Sequence, residues 1–159
     1  MPYRYLVSTD LGSVLSLSLK TDSVIAEYQT GHQGTVRTVQ RNPAYSKIFL
    51  TTGDATMRVS SEDARWSSIM SSYSSLHVTA ATWSPTRAGL ILSGREDGVV
   101  EAWDLQHHLA SPLLASKVAA SPVTDIKFCQ SGGLALVSTA AGDVKRRTFD
   151  YESFYFVKG

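Results

Sequence analysis

Val36-Arg37-Thr38-Val39-Gln40-Arg41-Asn42-Pro43 returns 42 residues later as Val78-Thr79-Ala80-Ala81-Thr82-Trp83-Ser84-Pro85. A looser copy, Val123-Thr124-Asp125-Ile126-Lys127-Phe128, follows after a further 45 residues. In each copy the inward residues stand first and fourth, and the run ends in a turn containing Pro, Ser or Gly. An apolar run comes next every time: Ile48-Phe49-Leu50-Thr51-Thr52, Leu90-Ile91-Leu92-Ser93 and Leu134-Ala135-Leu136-Val137-Ser138. A Gly/Asp turn follows (Gly53-Asp54, Glu96-Asp97-Gly98, Ala141-Gly142-Asp143), then a third strand over 57–59, 99–104 and 144–150. Weaker fourth strands are expected near 68–73, 113–118 and 154–157. Short runs of Val, Ile, Leu, Thr and Tyr divided by turn formers are strand signals. Four such strands per unit of about 40–45 residues mark a propeller blade of the WD type.

Upstream of the first full unit, Leu15, Leu17 and Leu19 alternate with serines, as in a strand with one buried face. Asp10-Leu11-Gly12 is a tight turn joining it to Tyr5-Leu6-Val7-Ser8-Thr9. Residues 3–28 thus supply three strands of a blade that lacks its own first strand. The fold class is all-β, a WD40-type β-propeller with an incomplete set of about 3.5 four-stranded blades. The whole chain, 1–159, reads as one partial propeller, with a blade part at 3–28 and blades at about 31–73, 76–118 and 121–157. The two terminal blades are expected to leave one apolar face each, more than a soluble monomer tolerates. A missing segment of a longer protein is the expected completion; another chain, as in a head-to-tail pair of such halves, is the second reading.

Composition narrows the function. Fifteen basic residues against 14 acidic give a net charge of +1 and no electrostatic footprint for nucleic acid or a membrane surface. The single cysteine, Cys129, precludes an intrachain disulfide or a cysteine-rich zinc site and reads as a small buried hydrophobe. Ser8, Thr9 and Asp10 interrupt any signal-peptide core, and no apolar run approaches the roughly 20 residues of a membrane helix. A soluble, cytoplasmic chain is expected.

The chemistry points to structure and binding. Gly31-His32 opens the first full unit and Trp103-Asp104 closes the third strand of the next. A histidine before the first strand can hydrogen-bond the aspartate of the turn between second and third strands. A hydroxyl and the tryptophan N–H extend such a network, which pins a blade without a large core. His32, Asp54, Asp97 and Trp103 are the expected members. The unit at Val78 has no Gly-His, and the last unit has neither Gly-His nor Trp. His107-His108 has no Cys, Asp or Glu at ligand spacing, so no metal is expected. No G-x-x-x-x-G-K-[ST] loop or G-x-S-x-G elbow occurs, so neither a cofactor nor a catalytic site is expected.

Binding residues are expected on the loops. Gln33, Thr35, His77, Arg95 and Glu96 fall on one rim; 42–46, 62–66 and 85–88 fall on the other. Tyr45 and Trp66 are large aromatics in loops where polar residues would suffice, and aromatics and Arg anchor interfaces. Trp66 with Arg65 and Arg87 is the leading candidate patch; the alternative is that Trp66 covers the blade beneath it. Arg95 joins the partner-binding candidates. Lys145-Arg146-Arg147 is the only basic cluster, read either as a solvated edge or as a contact for an acidic tail or tubulin.

One stretch is more particular. Gly31-His32-Gln33-Gly34-Thr35-Val36, Gln40-Arg41-Asn42-Pro43-Ala44-Tyr45-Ser46-Lys47 and Phe49 to Asp54 resemble the dynein intermediate chains, especially the axonemal ones. The resemblance continues through Arg58 to Asp63, Ser67 to Met70, Ala81 to Ala88 and Asp97 to Asp104. Two positions depart from the family pattern: Ser60 stands for a tryptophan and Ala55 for an aromatic, which suggests a less rigid second blade. The resemblance implies a non-catalytic subunit whose propeller docks on a dynein heavy chain, beside a second intermediate chain, and helps anchor the arm on ciliary microtubules. The implied location is the axoneme of a cilium or flagellum. The competing expectation is a general WD40 adaptor such as a ubiquitin-ligase substrate receptor.

Overall fold

The computed structural model describes residues 3–66, 68–107, 110–150 and 155–158. Ser67 of the resembling stretch, His108 and the start of the expected strand at 154–157 lie outside the described residues. All described secondary structure is β, in four antiparallel sheets that follow one another along the chain. Strands β1 (Arg4–Ser8), β2 (Ser13–Ser18) and β3 (Ser23–Gln29) form a three-stranded sheet. Three sheets of four strands follow: β4 (Val36–Arg41), β5 (Ile48–Gly53), β6 (Thr56–Ser61), β7 (Ser68–Tyr73); then β8 (Val78–Trp83), β9 (Leu90–Arg95), β10 (Val99–Asp104), β11 (Leu114–Lys117). The last comprises β12 (Val123–Phe128), β13 (Leu134–Thr139), β14 (Val144–Asp150) and β15 (Tyr155–Lys158).

A shared irregularity explains the sequence pattern of the first strands. Strict alternation would send the first and fourth residues to opposite faces. Each first strand carries a register shift after its opening valine, between Val36/Thr38, Val78/Ala80 and Val123/Asp125. The extra residue returns the fourth side chain to the face of the first. Val36 and Val39 therefore share one apolar cluster, Val78 and Ala81 a second, Val123 and Ile126 a third.

Those clusters are the junctions between sheets. Val14, Ala26 and Tyr28 of the first sheet meet Val36 and Phe49 of the second. Leu50, Met57 and Val59 of the second meet Val78, Trp83, Ile91 and Trp103 of the third. Leu90, Leu92, Val100 and Ala102 of the third meet Val123, Ile126, Ala135 and Val137 of the fourth. Each leucine or valine so sealed contributes about 1.5–3 kcal/mol over leaving it in water. The core is therefore divided among junctions, and β4, β8 and β12 are the strands that touch successive sheets.

Backbone hydrogen bonds align the first sheet with the others. Val36 N–H donates to the Thr9 carbonyl at 3.0 Å, as Val78 N–H donates to the Asp54 carbonyl at 3.1 Å. The β1–β2 turn thus corresponds to the β5–β6 turn, so β1 to β3 are the second, third and fourth strands of a blade.

Candidate functional site

His32 sits just before β4, buried against the turn that joins β5 to β6. Its Nδ1 lies 2.8 Å from Thr56 Oγ1 and 3.4 Å from Asp54 Oδ1, and its Nε2 lies 3.0 Å from Thr51 Oγ1. Asp54 in turn accepts from Thr56 Oγ1 at 2.8 Å and from the Gln33 N–H at 2.9 Å. A proton on Nδ1 satisfies every partner, with the Thr51 hydroxyl donating to Nε2. Burial pushes the imidazole below its usual pKa, more than Asp54 raises it, so the ring is neutral at pH 7. Burial also pulls the Asp54 carboxyl upward, but hydrogen bonds from Gln33, Thr56 and His32 outweigh it and hold it below the usual value.

The third sheet has no histidine at this place, and a different set of residues occupies the same corner. Arg95 Nε and Nη2 donate to the two Asp97 oxygens at 3.1 and 2.6 Å, and Nη1 donates to Glu101 Oε1 at 2.8 Å. Ser93 Oγ reaches Glu101 Oε2 at 3.5 Å and accepts from Trp103 Nε1 at 3.0 Å. The Asp97 hydrogen bonds and charge raise the Arg95 pKa, and Arg95 lowers that of Asp97. Arg95 thus faces inward, into the blade, where the sequence reading placed it on the rim as a partner contact. The signal lies in the hairpin: Ser93 stands directly opposite Glu101, which only the β9–β10 register reveals.

Ser60 occupies the place of Trp103. Phe49 pairs with Ser60 in the second sheet as Ile91 pairs with Trp103 in the third. Phe49 is the bulkier of the two second-strand residues, and Tyr28 of the first sheet tilts onto its ring at 5.4 Å. The serine hydroxyl is left buried, with no hydrogen-bond partner among the described residues.

At the opposite rim the turns after β4 and β8 are built alike. Asn42 Oδ1 accepts from the N–H groups of Ala44 and Tyr45, and Ser84 Oγ accepts from those of Thr86 and Arg87. Asn42 Nδ2 also crosses to the third sheet, donating to the Ala88 carbonyl at 2.7 Å. Gln40 also crosses to that sheet, its Oε1 accepting from the Trp83 N–H at 3.0 Å. Tyr45, 64% exposed, borders an apolar cleft of about 240 Å³ between these two sheets, with Ile48, Ile69, Trp83 and Leu105 in its walls.

Trp66 is 81% exposed. Its neighbour Arg65 is held toward the first sheet, its carbonyl accepting the Gln29 N–H at 3.0 Å. Arg87 lies 3.6 Å from Asp104 of β10. The expected trio is therefore anchored to two different sheets, Arg65 and Trp66 beside the first and Arg87 on the third. On the other rim Gln33, Thr35, Arg37, Asp54 and His77 line a polar cleft of about 180 Å³. Among the described residues no three His, Cys, Asp or Glu side chains gather as metal ligands, and no helix is long and apolar enough to cross a membrane.

Four-stranded sheets in chain order, stacked through their first strands and pinned at the second turn, define a WD-repeat β-propeller, here an incomplete one. Comparison with known proteins then gives the family. A family model described as the dynein axonemal intermediate chain 3 WD40 domain matches residues 15–141, and the chain belongs to that family of axonemal dynein intermediate chains. It is 35% identical over 147 residues to dynein axonemal intermediate chain 2 of Xenopus laevis, covering 89% of this chain and 25% of that protein. It is 32% identical over 146 residues to the 70 kDa intermediate chain of the flagellar outer arm of Chlamydomonas reinhardtii, covering 89% of this chain and 26% of that one. Human dynein axonemal intermediate chain 3 is 34% identical over 101 residues, 63% of this chain and 11% of its own length. The chain spans about a quarter of the length of the first two relatives.

Proposed function

We propose that this chain is a non-catalytic subunit of an axonemal dynein complex. It docks on a dynein heavy chain through its loop rims, beside a second intermediate chain, and helps assemble or anchor the arm on ciliary microtubules. The observation that carries this is the family match over most of the chain, together with relatives named for axonemal and flagellar outer-arm dynein. The geometry supports a binding role. The polar side chains at the turns are spent on holding blades, while Tyr45 and Trp66 stand out from the rim. Exposed aromatics of this kind anchor interfaces when a partner covers them.

The test is incorporation into cilia. A fluorescently tagged chain expressed in ciliated cells is expected along the axoneme. Trp66→Ala with Tyr45→Ala should lower its axonemal signal several-fold while leaving the melting temperature of the purified chain unchanged. A diffuse wild-type chain in cells whose outer arms are intact overturns the proposal. Loss of fold in the double variant would return Trp66 and Tyr45 to a structural role.

A further inference from the structure

The outer strand of each sheet lies at the periphery, where a neighbouring sheet, stacked face to face, does not reach. Three of the four outer strands include a charged residue, the usual guard of a sheet edge: Glu27 in β3, Lys117 in β11 and Lys158 in β15. β7, Ser-Ile-Met-Ser-Ser-Tyr, has neither a charge nor a proline. It is also where apolar surface gathers. Across the two internal sheets the exposed large apolar residues are Tyr45, Trp66, Ile69 and Tyr73, all of the second sheet. The third sheet has none among the described residues. Ile69 and Tyr73 stand on β7 itself, and Trp66 just before it.

The two faces of this edge differ in chemistry. Val59 of β6 faces the third sheet, so its neighbour Arg58 faces the first, where it lies over the Tyr73 ring at 6.0 Å from the centre. Arg65 is held on that same side by its bond to Gln29. Neither arginine has a carboxylate partner among the described residues, whereas Glu62 and Asp63 are already paired with Arg41 and Lys47. On the other side the register slips between Val59 and Ser60, which leaves Ile69 opposite no residue. Ile69 is 59% exposed and forms a wall of the apolar cleft of about 240 Å³ between the second and third sheets. Beyond the slip, 70–73 pair without interruption with 56–59, so the remainder of the edge is regular.

An edge strand turns a row of unpaired N–H and C=O groups outward. A segment that adds there gains main-chain hydrogen bonds, and its alternate side chains reach the two faces. On the arginine side a carboxylate gains a charge-assisted, two-pronged hydrogen bond. On the Ile69 side an apolar side chain enters the cleft. A phosphate polyanion brings no N–H groups for the edge and nothing apolar for the cleft. We propose that the outer edge of β7 takes an acidic, extended protein segment as a fifth strand of the second sheet. Its Asp or Glu residues lie toward Arg58 and Arg65, and its apolar residues toward Ile69. The assignment rests on the edge of an internal sheet and goes beyond the rim docking proposed above, although Trp66 borders both.

The probe is a fluorescent peptide of alternating valine and glutamate, with its valine–glutamine counterpart, titrated into the full chain by anisotropy. The glutamate peptide should bind at least about tenfold more tightly than the glutamine one, and weaken as salt rises. Arg58→Gln with Arg65→Gln should abolish that preference, while Lys117→Gln on the outer strand of the third sheet keeps it; circular dichroism confirms that each variant is folded. Ile69→Ala with Tyr73→Ala, both at exposed positions, should weaken both peptides. N-methylating every second peptide residue removes the N–H groups along one edge of the added strand. In one phase this should abolish binding, and in the other leave it unchanged. Equal binding of the two peptides overturns the proposal, as do equal effects of the two methylation phases or loss of preference in Lys117→Gln. So does a DNA duplex or an anionic phosphatidylserine vesicle that displaces the peptide. A dimer of the chain that Ile69→Ala with Tyr73→Ala dissociates would assign the edge to a second copy and overturn it equally. The titration is read on the purified chain, so its failure leaves the axonemal role standing, and a diffuse chain in cilia leaves the edge standing.

Discussion

His32 shows how much of a blade hangs on one side chain. Replacing it by alanine removes one buried partner each from Thr51, Thr56 and Asp54, and the expected loss is about 2–3 kcal/mol in denaturant unfolding. Because the native ring titrates below its ordinary value of 6.5, the unfolded chain takes up the proton first. Stability tied to the neutral ring is complete above that value, declines as pH falls below it, and stops declining once the native ring is protonated. Melting temperature should therefore fall from about pH 7.5 to about pH 5.5 more steeply in the wild type than in His32→Asn. Parallel slopes would contradict the assignment. Ser60 makes the opposite case. Its hydroxyl is buried and has no partner among the described residues, so Ser60→Ala should leave stability unchanged or raise it by up to about 1 kcal/mol, and a clear drop in the unfolding midpoint would count against that. His32 and Asp54 were legible because a Gly-His and a Gly-Asp mark them. The Arg95–Glu101 pair was not, because it joins two strands and depends on their register.

Strands and turns were the most legible level. The spacing of β-formers and turn residues placed each sheet's strands, down to the short β11. What the sequence concealed was why the first strand shows a one-four spacing, since the pattern alone fits a helical turn as well as a bulged strand. Turns also differ in a way that composition hides. The loops after β1, β9 and β13 contain Gly12, Gly98 and Gly142, all at positive φ of 80–85°. The β5–β6 loop instead puts Asp54 in the left-handed region at φ 48°. A Cβ on Gly98 would also collide with the carbonyl oxygens of Ala119 and Ser121, whereas one on Gly142 meets nothing. Gly142→Ala should therefore cost about 1 kcal/mol of backbone strain, and Gly98→Ala about 2–3 kcal/mol, because the following loop must also move. Equal losses in urea unfolding would contradict the packing of that loop over the turn.

At the scale of the molecule, stability resides in junctions between sheets, and each internal sheet is sealed on both faces. The first sheet turns Tyr5, Val7 and Ile25 outward, each more than a third exposed, on strands whose other face is packed against the second sheet. Apolar area of this kind associates in water. Val7→Lys with Tyr5→Lys should lower the concentration-dependent self-association of the purified chain in sedimentation velocity without lowering its melting temperature. A wild-type chain that is monomeric at every concentration would contradict it. The incomplete ring was legible from the count of units; the rims were legible only in outline. Sequence spacing assigned Arg65, Trp66 and Arg87 to one rim, but which sheet anchors each loop is set by bonds such as Gln29 to Arg65, between residues far apart in the chain.

The membership of this chain in a dynein complex is tested most directly by affinity capture. A tagged chain exchanged into cilia, followed by salt extraction of the axonemes and mass spectrometry, should recover a dynein heavy chain in near-stoichiometric amount with a second intermediate chain. Recovery of ubiquitin-ligase subunits without any heavy chain would contradict the account.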